Sequence, residues 1–247
     1  VAPARQEPDN AGSPMSKYFA LIPAAGTGSR IGNATPKQYH PINGRPMLWH
    51  ALHPFHAHPR IERIFLVLSP VDIWFRDLRW DSLSSKLDVL RCGGESRAQS
   101  VLNGLQAIAG TVGAADQILV HDAARPCLTG RAIDQLIEQV GDNEAGGLLA
   151  EPLADTLKRA DDKGHVMRTE PREGLWRAQT PQMFRYGTLV RALGSGVLDG
   201  VTDEASAIER LGLHPLLVKS GATNLKVTYE EDLRLAGLIL NSQAGQG

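Results

Sequence analysis

Short apolar runs recur along this chain, and between them lie stretches whose apolar positions repeat every three or four residues. The runs at 19–22, 64–68, 87–90, 118–120, 147–150 and 216–218 are four or five residues or fewer and almost wholly apolar. Strands buried on both faces have that character. Within 96–108 the apolar residues are Ala98, Val101, Leu102, Leu105 and Ile108, the spacing of one helical face. Further helices are predicted at 46–55, 131–140, 203–211 and 230–240. Thr202 is the expected N-cap of the helix at 203–211, with Asp203 and Glu204 in its first turn and Gly212 at its end. Strand and helix alternate, which predicts an α/β fold with three layers and a mostly parallel twisted sheet flanked by helices. Such sheets bind ligands beyond the carboxyl ends of their strands.

One stretch breaks the alternation. Residues 155–159 and 165–169 flank Asp161-Asp162-Lys163-Gly164, the pattern of a β-hairpin with a glycine turn. It is polar, and an isolated two-stranded hairpin is only marginally stable in water. It is therefore expected to pack on something, a second subunit being one candidate. Residues 17–241 are expected to form a single domain carrying this arm at about 152–173. Residues 1–16 and 242–247 are expected to be disordered tails, with Met15 a candidate natural start. No further domain is expected past Gly247.

Charge and composition narrow the partners. The 247 residues carry 26 basic and 27 acidic side chains, a net charge of −1. A general nucleic-acid binder would be clearly basic, so none is expected as a partner. No apolar run approaches the length of a membrane span, so no membrane partner is expected either. The two cysteines, Cys92 and Cys127, form no C-x-x-C pair, which disfavours a zinc ribbon and fits a reducing, cytoplasmic compartment.

The first apolar run leads into Pro23-Ala24-Ala25-Gly26-Thr27-Gly28-Ser29-Arg30, with Pro36-Lys37-Gln38 close behind. Small residues let backbone N–H groups approach a phosphate chain, and Arg30 and Lys37 bring the balancing charge. The loop is not a dinucleotide fingerprint, because Ile31 occupies the third glycine position and no acidic residue follows about 20 residues on. Nor is it a Walker loop, since Lys37 follows Pro36. It points to a nucleoside polyphosphate, the alternative being a strand-to-helix turn with no ligand.

Other segments carry two readings each. Asp122, in His121-Asp122-Ala123-Ala124-Arg125-Pro126, ends a strand where a carboxylate can hold Mg²⁺ against a nucleotide, or cap a helix, or pair with Arg125. Gly93-Gly94-Glu95-Ser96-Arg97 opens a helix, either as a ligand contact or as a tight connection. Lys226, within a short strand at 224–228, reads as a solvated edge residue. Spacing leaves the roles of Arg172 and Thr180-Pro181-Gln182 open. His50, His53, His56 and His58 match no metal motif and read as surface or core residues. No serine stands in a G-x-S-x-G elbow.

Seven motifs then occur in order. They are Pro-Ala-Ala-Gly-Thr-Gly-Ser-Arg with Pro-Lys-Gln, Gly-Gly-Glu-Ser-Arg, His-Asp-Ala-Ala-Arg-Pro, Asp-Thr-Leu-Lys, Trp-Arg-Ala-Gln-Thr-Pro-Gln, Thr-Asp-Glu-Ala-Ser and Asn-Leu-Lys-Val-Thr. Over about residues 18–240 the chain resembles the 2-C-methyl-D-erythritol 4-phosphate cytidylyltransferases of non-mevalonate isoprenoid biosynthesis. The resemblance implies a glycosyltransferase-A-like nucleotidyltransferase fold, a homodimer with a shared active site, and a Mg²⁺ cofactor. It implies transfer of CMP from CTP to the polyol phosphate, giving 4-diphosphocytidyl-2-C-methyl-D-erythritol and pyrophosphate. By position, Ala24, Ala25, Gly26, Thr27 and Gly28 would line CTP, and Arg30 and Lys37 would hold its triphosphate. Gly94 and Ser100 would meet the cytosine side, and Asp122 would ligate Mg²⁺. Arg125, Thr156, Arg172, Thr180, Thr202 and Lys226 would face the polyol phosphate. Thr156 and Arg172 would act from the hairpin arm of a partner, and Arg30, Lys37, Lys226 and Arg172 would be catalytic. Ile31 stands where the family often has Met, and Leu225 where it often has Ile. The alternatives are a cytidylyltransferase for another polyol phosphate, such as ribitol 5-phosphate, and a silent nucleotide-binding module.

Overall fold

Alternation along the first strand decides the layering. In β1 (Tyr18–Pro23) Ala20 and Ile22 point to one face and Phe19 and Leu21 to the other, and all four are buried. A strand with apolar residues on both faces has to sit inside a sheet covered twice. The computed structural model of the protein, which describes residues 16–26, 35–196 and 198–245, places β1 third from one edge of a seven-stranded sheet.

The remaining strands, in chain order, are β2 (Pro41–Ile42), β3 (Arg45–Pro46), β4 (Ile61–Val67), β5 (Leu87–Leu90), β6 (Gln117–Val120), β7 (Gly147–Pro152), β8 (Leu157–Ala160), β9 (Val166–Glu170), β10 (Trp176–Arg185) and β11 (Leu216–Lys219). The main sheet has the order β11-β7-β10-β6-β1-β4-β5. All neighbours are parallel except β10, which runs antiparallel to β6 and β7. The helices are α1 (Met47–Ala57), α2 (Arg97–Ala107), α3 (Gly130–Val140), α4 (Tyr186–Leu193), α5 (Glu204–Glu209) and α6 (Glu230–Ala244). Leu52 and Phe55 of α1 and Leu136 of α3 pack on one face with Ile22 and Leu66. Val101 and Leu105 of α2, Leu189 of α4 and Ile208 of α5 pack on the other with Leu21 and Val67.

The six predicted strands and five predicted helices all occur, with ends shifted by a few residues. Strand β10 was not expected, and it carries Pro181 inside it, a residue that cannot donate to a ladder. The pairing with β7 skips between Ala178 and Gln182, so Pro181 sits at an irregularity and no ladder bond is asked of it. Helix α6 continues three residues past the expected domain end at 241. Asp203, not Thr202, caps α5: its carboxylate accepts from Ser206 N at 2.9 Å while the Ser206 hydroxyl accepts from Asp203 N. Residues 224–228 form no strand.

The hairpin β8–β9 stands apart as its own two-stranded sheet, with Leu157 opposite Glu170 and Gly164 at φ +82° in its turn. Val166 and Met167 on it are more than 60% exposed, which leaves the arm without the packing an isolated hairpin needs.

Candidate active site

Parallel strands β1 and β6 end side by side, and each runs directly into one of the sequence motifs. Beyond those ends lie two adjoining cavities, of about 510 Å³ and about 270 Å³. Arg97, Asp122 and Lys226 line both.

Ala24, Ala25, Gly26, Gly94, Ala123 and Ala124 give the larger cavity a wall of small residues. Ala24 N donates to Val67 O at 2.8 Å, and the Gln38 amide donates to the carbonyls of Ala24 (2.9 Å) and Gly26 (3.2 Å). Gln38 thus ties the small-residue loop to the turn that carries Lys37, whose Nζ donates to Val227 O at 2.7 Å. Gly93 passes so close that a Cβ there would lie 2.2 Å from Ala25 Cβ and 2.9 Å from Leu68 O. The buried Ser100 hydroxyl accepts from Gly94 N at 3.0 Å and donates to Ser96 O at 2.9 Å, which fixes the turn before α2. Ala24, Ala25, Gly26, Lys37, Gly94, Ser100 and Asp122 all line this cavity. Thr27, Gly28 and Arg30 lie outside the described residues.

Between the cavities sits a chain of four charges. Arg97 Nε donates to Asp122 Oδ1 at 2.7 Å, and its two terminal nitrogens donate to the two Glu204 oxygens at 2.6 and 2.9 Å. Lys226 Nζ lies 2.8 Å from Asp122 Oδ2. Burial alone would raise the Asp122 pKa, but the charges of Arg97 and Lys226 outweigh it and hold the carboxyl well below the usual range. Burial would likewise discharge Arg97, and the carboxylates of Glu204 and Asp122 keep it firmly protonated. The hydrogen-bonded partners of Asp122 are therefore Arg97 and Lys226, not Arg125, and Lys226, though half exposed, is ion-paired and lies on no strand edge.

The smaller cavity is lined by Arg125, Thr180 and Thr202 beside the shared three. Arg125 is 9% exposed, donates to the carbonyls of Asn224 (2.6 Å) and Ala178 (3.3 Å), and leaves Nε with no partner among the described residues. Its pKa is pulled down, chiefly by burial. Behind it, the Thr180 hydroxyl accepts from Asp122 N at 3.0 Å and meets the buried His121 ring at 2.9 Å. Gln182 reaches from β10 to α5, donating to Asp203 and accepting from Ala205 N, and so sets the position of Glu204.

Two predicted residues are not brought to the cavities by this chain. Thr156 and Arg172 lie exposed at the base of the hairpin arm, where Arg172 donates to Ala154 O, and they line neither cavity. The four clustered histidines each have a separate partner. His50 meets Ile42 O, His53 stacks on Trp49, His56 meets Ser85, and His58 meets Asp134.

Arg97 and Glu204 were missed as site residues although both lie inside motifs. They stand 107 residues apart, and only the fold, which brings the first residue of α2 to the first residue of α5, makes them a pair. Asp122 is the one expected metal ligand, and no group of three or more His, Cys, Asp or Glu side chains gathers among the described residues. A carboxylate oxygen has two lone-pair directions, so Asp122 keeps one on each oxygen beyond its two cations. That fits Mg²⁺ held by one carboxylate together with phosphate oxygens, rather than an all-protein cage.

An α/β sheet whose strand ends carry small residues against one cavity and a buried arginine against the next is an arrangement that suits a nucleotidyltransferase. The family model described as 2-C-methyl-D-erythritol 4-phosphate cytidylyltransferase matches residues 18–242, and the chain belongs to that family. A protein of that name from Nitrosospira multiformis is 56% identical over 230 residues, 92% of this chain and 99% of its own length. One from Thiobacillus denitrificans is 55% identical, covering 91% of this chain and 97% of its own. A crystal structure of a 4-diphosphocytidyl-2C-methyl-D-erythritol synthase superposes with a TM-score of 0.81 at 42% identity, over 91% of this chain and 99% of that one. The Francisella tularensis cytidylyltransferase structure gives 0.78 at 35% identity, over 91% and 100%.

Proposed function

We propose that this chain transfers CMP from CTP to 2-C-methyl-D-erythritol 4-phosphate at the junction of the two cavities, in non-mevalonate isoprenoid precursor biosynthesis. Arg125 carries the assignment of the second substrate. A guanidinium that is nine-tenths buried, bonded only to carbonyls and short of one partner, is costly unless an anion joins it. CTP takes the larger cavity, with its phosphates toward Lys37 and the loop at 24–26. The acceptor takes the smaller one, with its phosphate toward Arg125 and Lys226 and its polyol near Thr180 and Thr202.

The chemistry follows from charge. An acceptor phosphate oxygen bonds to the α-phosphorus of CTP as the bond from that phosphorus to the β-phosphate bridge breaks, and pyrophosphate leaves. A phosphate monoester has its second pKa near ~6, so at pH 7 it is largely dianionic and needs no general base. The protein has to bring two anions together and hold them in line. Lys37 and Lys226 neutralise charge on either side of the reacting phosphorus. Asp122 would hold Mg²⁺ together with phosphate oxygens, and the ion would supply Lewis-acid charge neutralisation there.

The exposed arm supports a homodimer. Val166, Met167 and Trp176 need cover, and a partner's Arg172 would add the cation this chain does not bring to its own acceptor cavity. Mixing Arg172→Ala with Lys226→Ala subunits tests this, because each mixed dimer regains one intact composite site. No recovery of activity after demonstrated subunit exchange would rule out sharing.

Pyrophosphate release tests the reaction itself. Turnover is expected with CTP and 2-C-methyl-D-erythritol 4-phosphate, and much less with UTP, ATP or GTP. Faster release with ribitol 5-phosphate would reassign the acceptor, and no release with any acceptor would refute catalysis.

A further inference from the structure

Asp122 carries two cations, and the two are held very differently. Arg97 is pinned by three hydrogen bonds, two of them to Glu204, a carboxylate that is 1% exposed. Among the described residues Lys226 has one ion-pair partner, Asp122, at 2.8 Å, and its side chain is 47% exposed. The segment around it has no regular structure, and lysine's long stem lets the ammonium swing where a forked guanidinium cannot. Both cations line the acceptor cavity, where Arg125 already calls for an anion. An arriving phosphate therefore competes with Asp122 for Lys226 but not for Arg97.

We propose that Arg97 and Glu204 are positioning residues that hold Asp122 in place while Lys226, parked on the same carboxylate, exchanges it for the acceptor's phosphate. The proposal rests on the reading of the smaller cavity as the acceptor site. Between turnovers the four charges sum to zero, so the wall between the cavities is electrically quiet. When the acceptor enters, its phosphate takes the Lys226 ammonium and Asp122 gains an open oxygen beside the nucleotide. Without Glu204, Arg97 would lose two of its three anchors, and Asp122 could follow Lys226 instead of staying behind.

Binding of 2-C-methyl-D-erythritol 4-phosphate to the nucleotide-free protein, measured by titration calorimetry, tests the exchange. Asp122→Asn frees Lys226 and is expected to tighten acceptor binding at least about fivefold, although it removes a site residue. In a Lys226→Met background the same change is expected to alter binding less than about twofold. Binding that does not tighten in Asp122→Asn, or is undetectable in it, overturns the exchange. Equal tightening in the Lys226→Met background overturns it too, because a general loss of negative charge would then suffice.

The positioning role has its own readout. Glu204→Gln and Arg97→Lys are each expected to lower kcat at least about tenfold while the KM for CTP stays within about threefold. A lowered Tm with normal kcat in either folded variant would make the pair merely structural. Should Glu204→Gln fail to fold, Arg97→Lys and the binding cycle still decide. If the unaltered enzyme releases no pyrophosphate with the polyol phosphate, the acceptor reading fails first. If it turns over normally and the cycle shows no coupling, the exchange alone fails.

Discussion

The Thr180 hydroxyl lies 2.9 Å from His121 Nδ1, and the direction of that hydrogen bond is set on the far side of the ring. His121 Nε2 lies 3.0 Å from the Arg125 carbonyl, which can only accept, so Nε2 carries the proton. The ring is fully buried, and burial pushes its pKa down to about 4. It is therefore neutral at pH 7, Nδ1 is bare, and Thr180 donates to it.

A histidine buried neutral makes stability fall in acid. Above pH 6.5 the ring is neutral folded and unfolded, and its contribution is fully present. As pH falls from 6.5 toward 4 the unfolded chain takes up the proton first, and stability is lost by about 3 kcal/mol. His121→Gln removes that loss, so urea unfolding at pH 7 and pH 4 is expected to show the stability gap between the two proteins narrowing in acid. A constant gap would mean that the ring is not neutral in the fold.

Thr180 has spent its hydrogen on His121 and one lone pair on Asp122 N. What remains is one lone pair, which suits a polyol hydroxyl and repels a phosphate. Thr180→Val removes this acceptor and orphans the Asp122 amide, a loss of about 2 kcal/mol or roughly 30-fold in kcat/KM for the acceptor. Thr180→Ser keeps the hydroxyl and is expected to stay within a few-fold. Equal losses in both variants would show that the methyl group, not the hydroxyl, matters.

Gly93 offers a test of the nucleotide loop from outside it. A Cβ there meets the Ala25 side chain and the Leu68 carbonyl, and the second is backbone that cannot rotate away. Gly93→Ala is expected to push residues 24–26 from their register with Gln38 and to raise the KM for CTP about tenfold or more. The KM for the acceptor should move far less, since Arg125 and Thr180 lie on the other side of Asp122. A variant with unchanged CTP kinetics would show that the loop position does not govern nucleotide binding.

How much of this was legible beforehand divides by the range of the interaction. The layering of β1, the face of α2 and the loop at 24–26 are local patterns, written in consecutive residues. Motif order also marked Lys37, Asp122, Arg125, Thr180 and Lys226, which the fold brings to two adjoining cavities. Strand β10 was not read from the sequence, and its tolerance of Pro181 depends on a partner strand that skips that residue. The Arg97–Glu204 pair was hidden by 107 residues of separation. Lys226 looked like a surface lysine because its carboxylate partner belongs to a strand end about a hundred positions earlier.

Arg125 separates function from stability most sharply. Its guanidinium is buried, its Nε is unpaired and its bonds go to the carbonyls of Asn224 and Ala178. Arg125→Met removes a buried cation that no carboxylate hydrogen-bonds among the described residues, which favours the fold, and leaves two carbonyls short of donors, which opposes it. These effects are each on the order of 1–3 kcal/mol and of opposite sign, so Tm should change little. Acceptor binding has no such compensation. The KM for the polyol phosphate is expected to rise at least about 30-fold, with the KM for CTP unchanged, because Arg125 lines the smaller of the two cavities and not the larger. Arg125→Lys should recover part of the loss, since it restores the charge but not the fork. Steady-state kinetics varied in each substrate, beside a thermal melt, decide it: a CTP-side defect or a collapse in Tm would move Arg125 from the acceptor site to the scaffold.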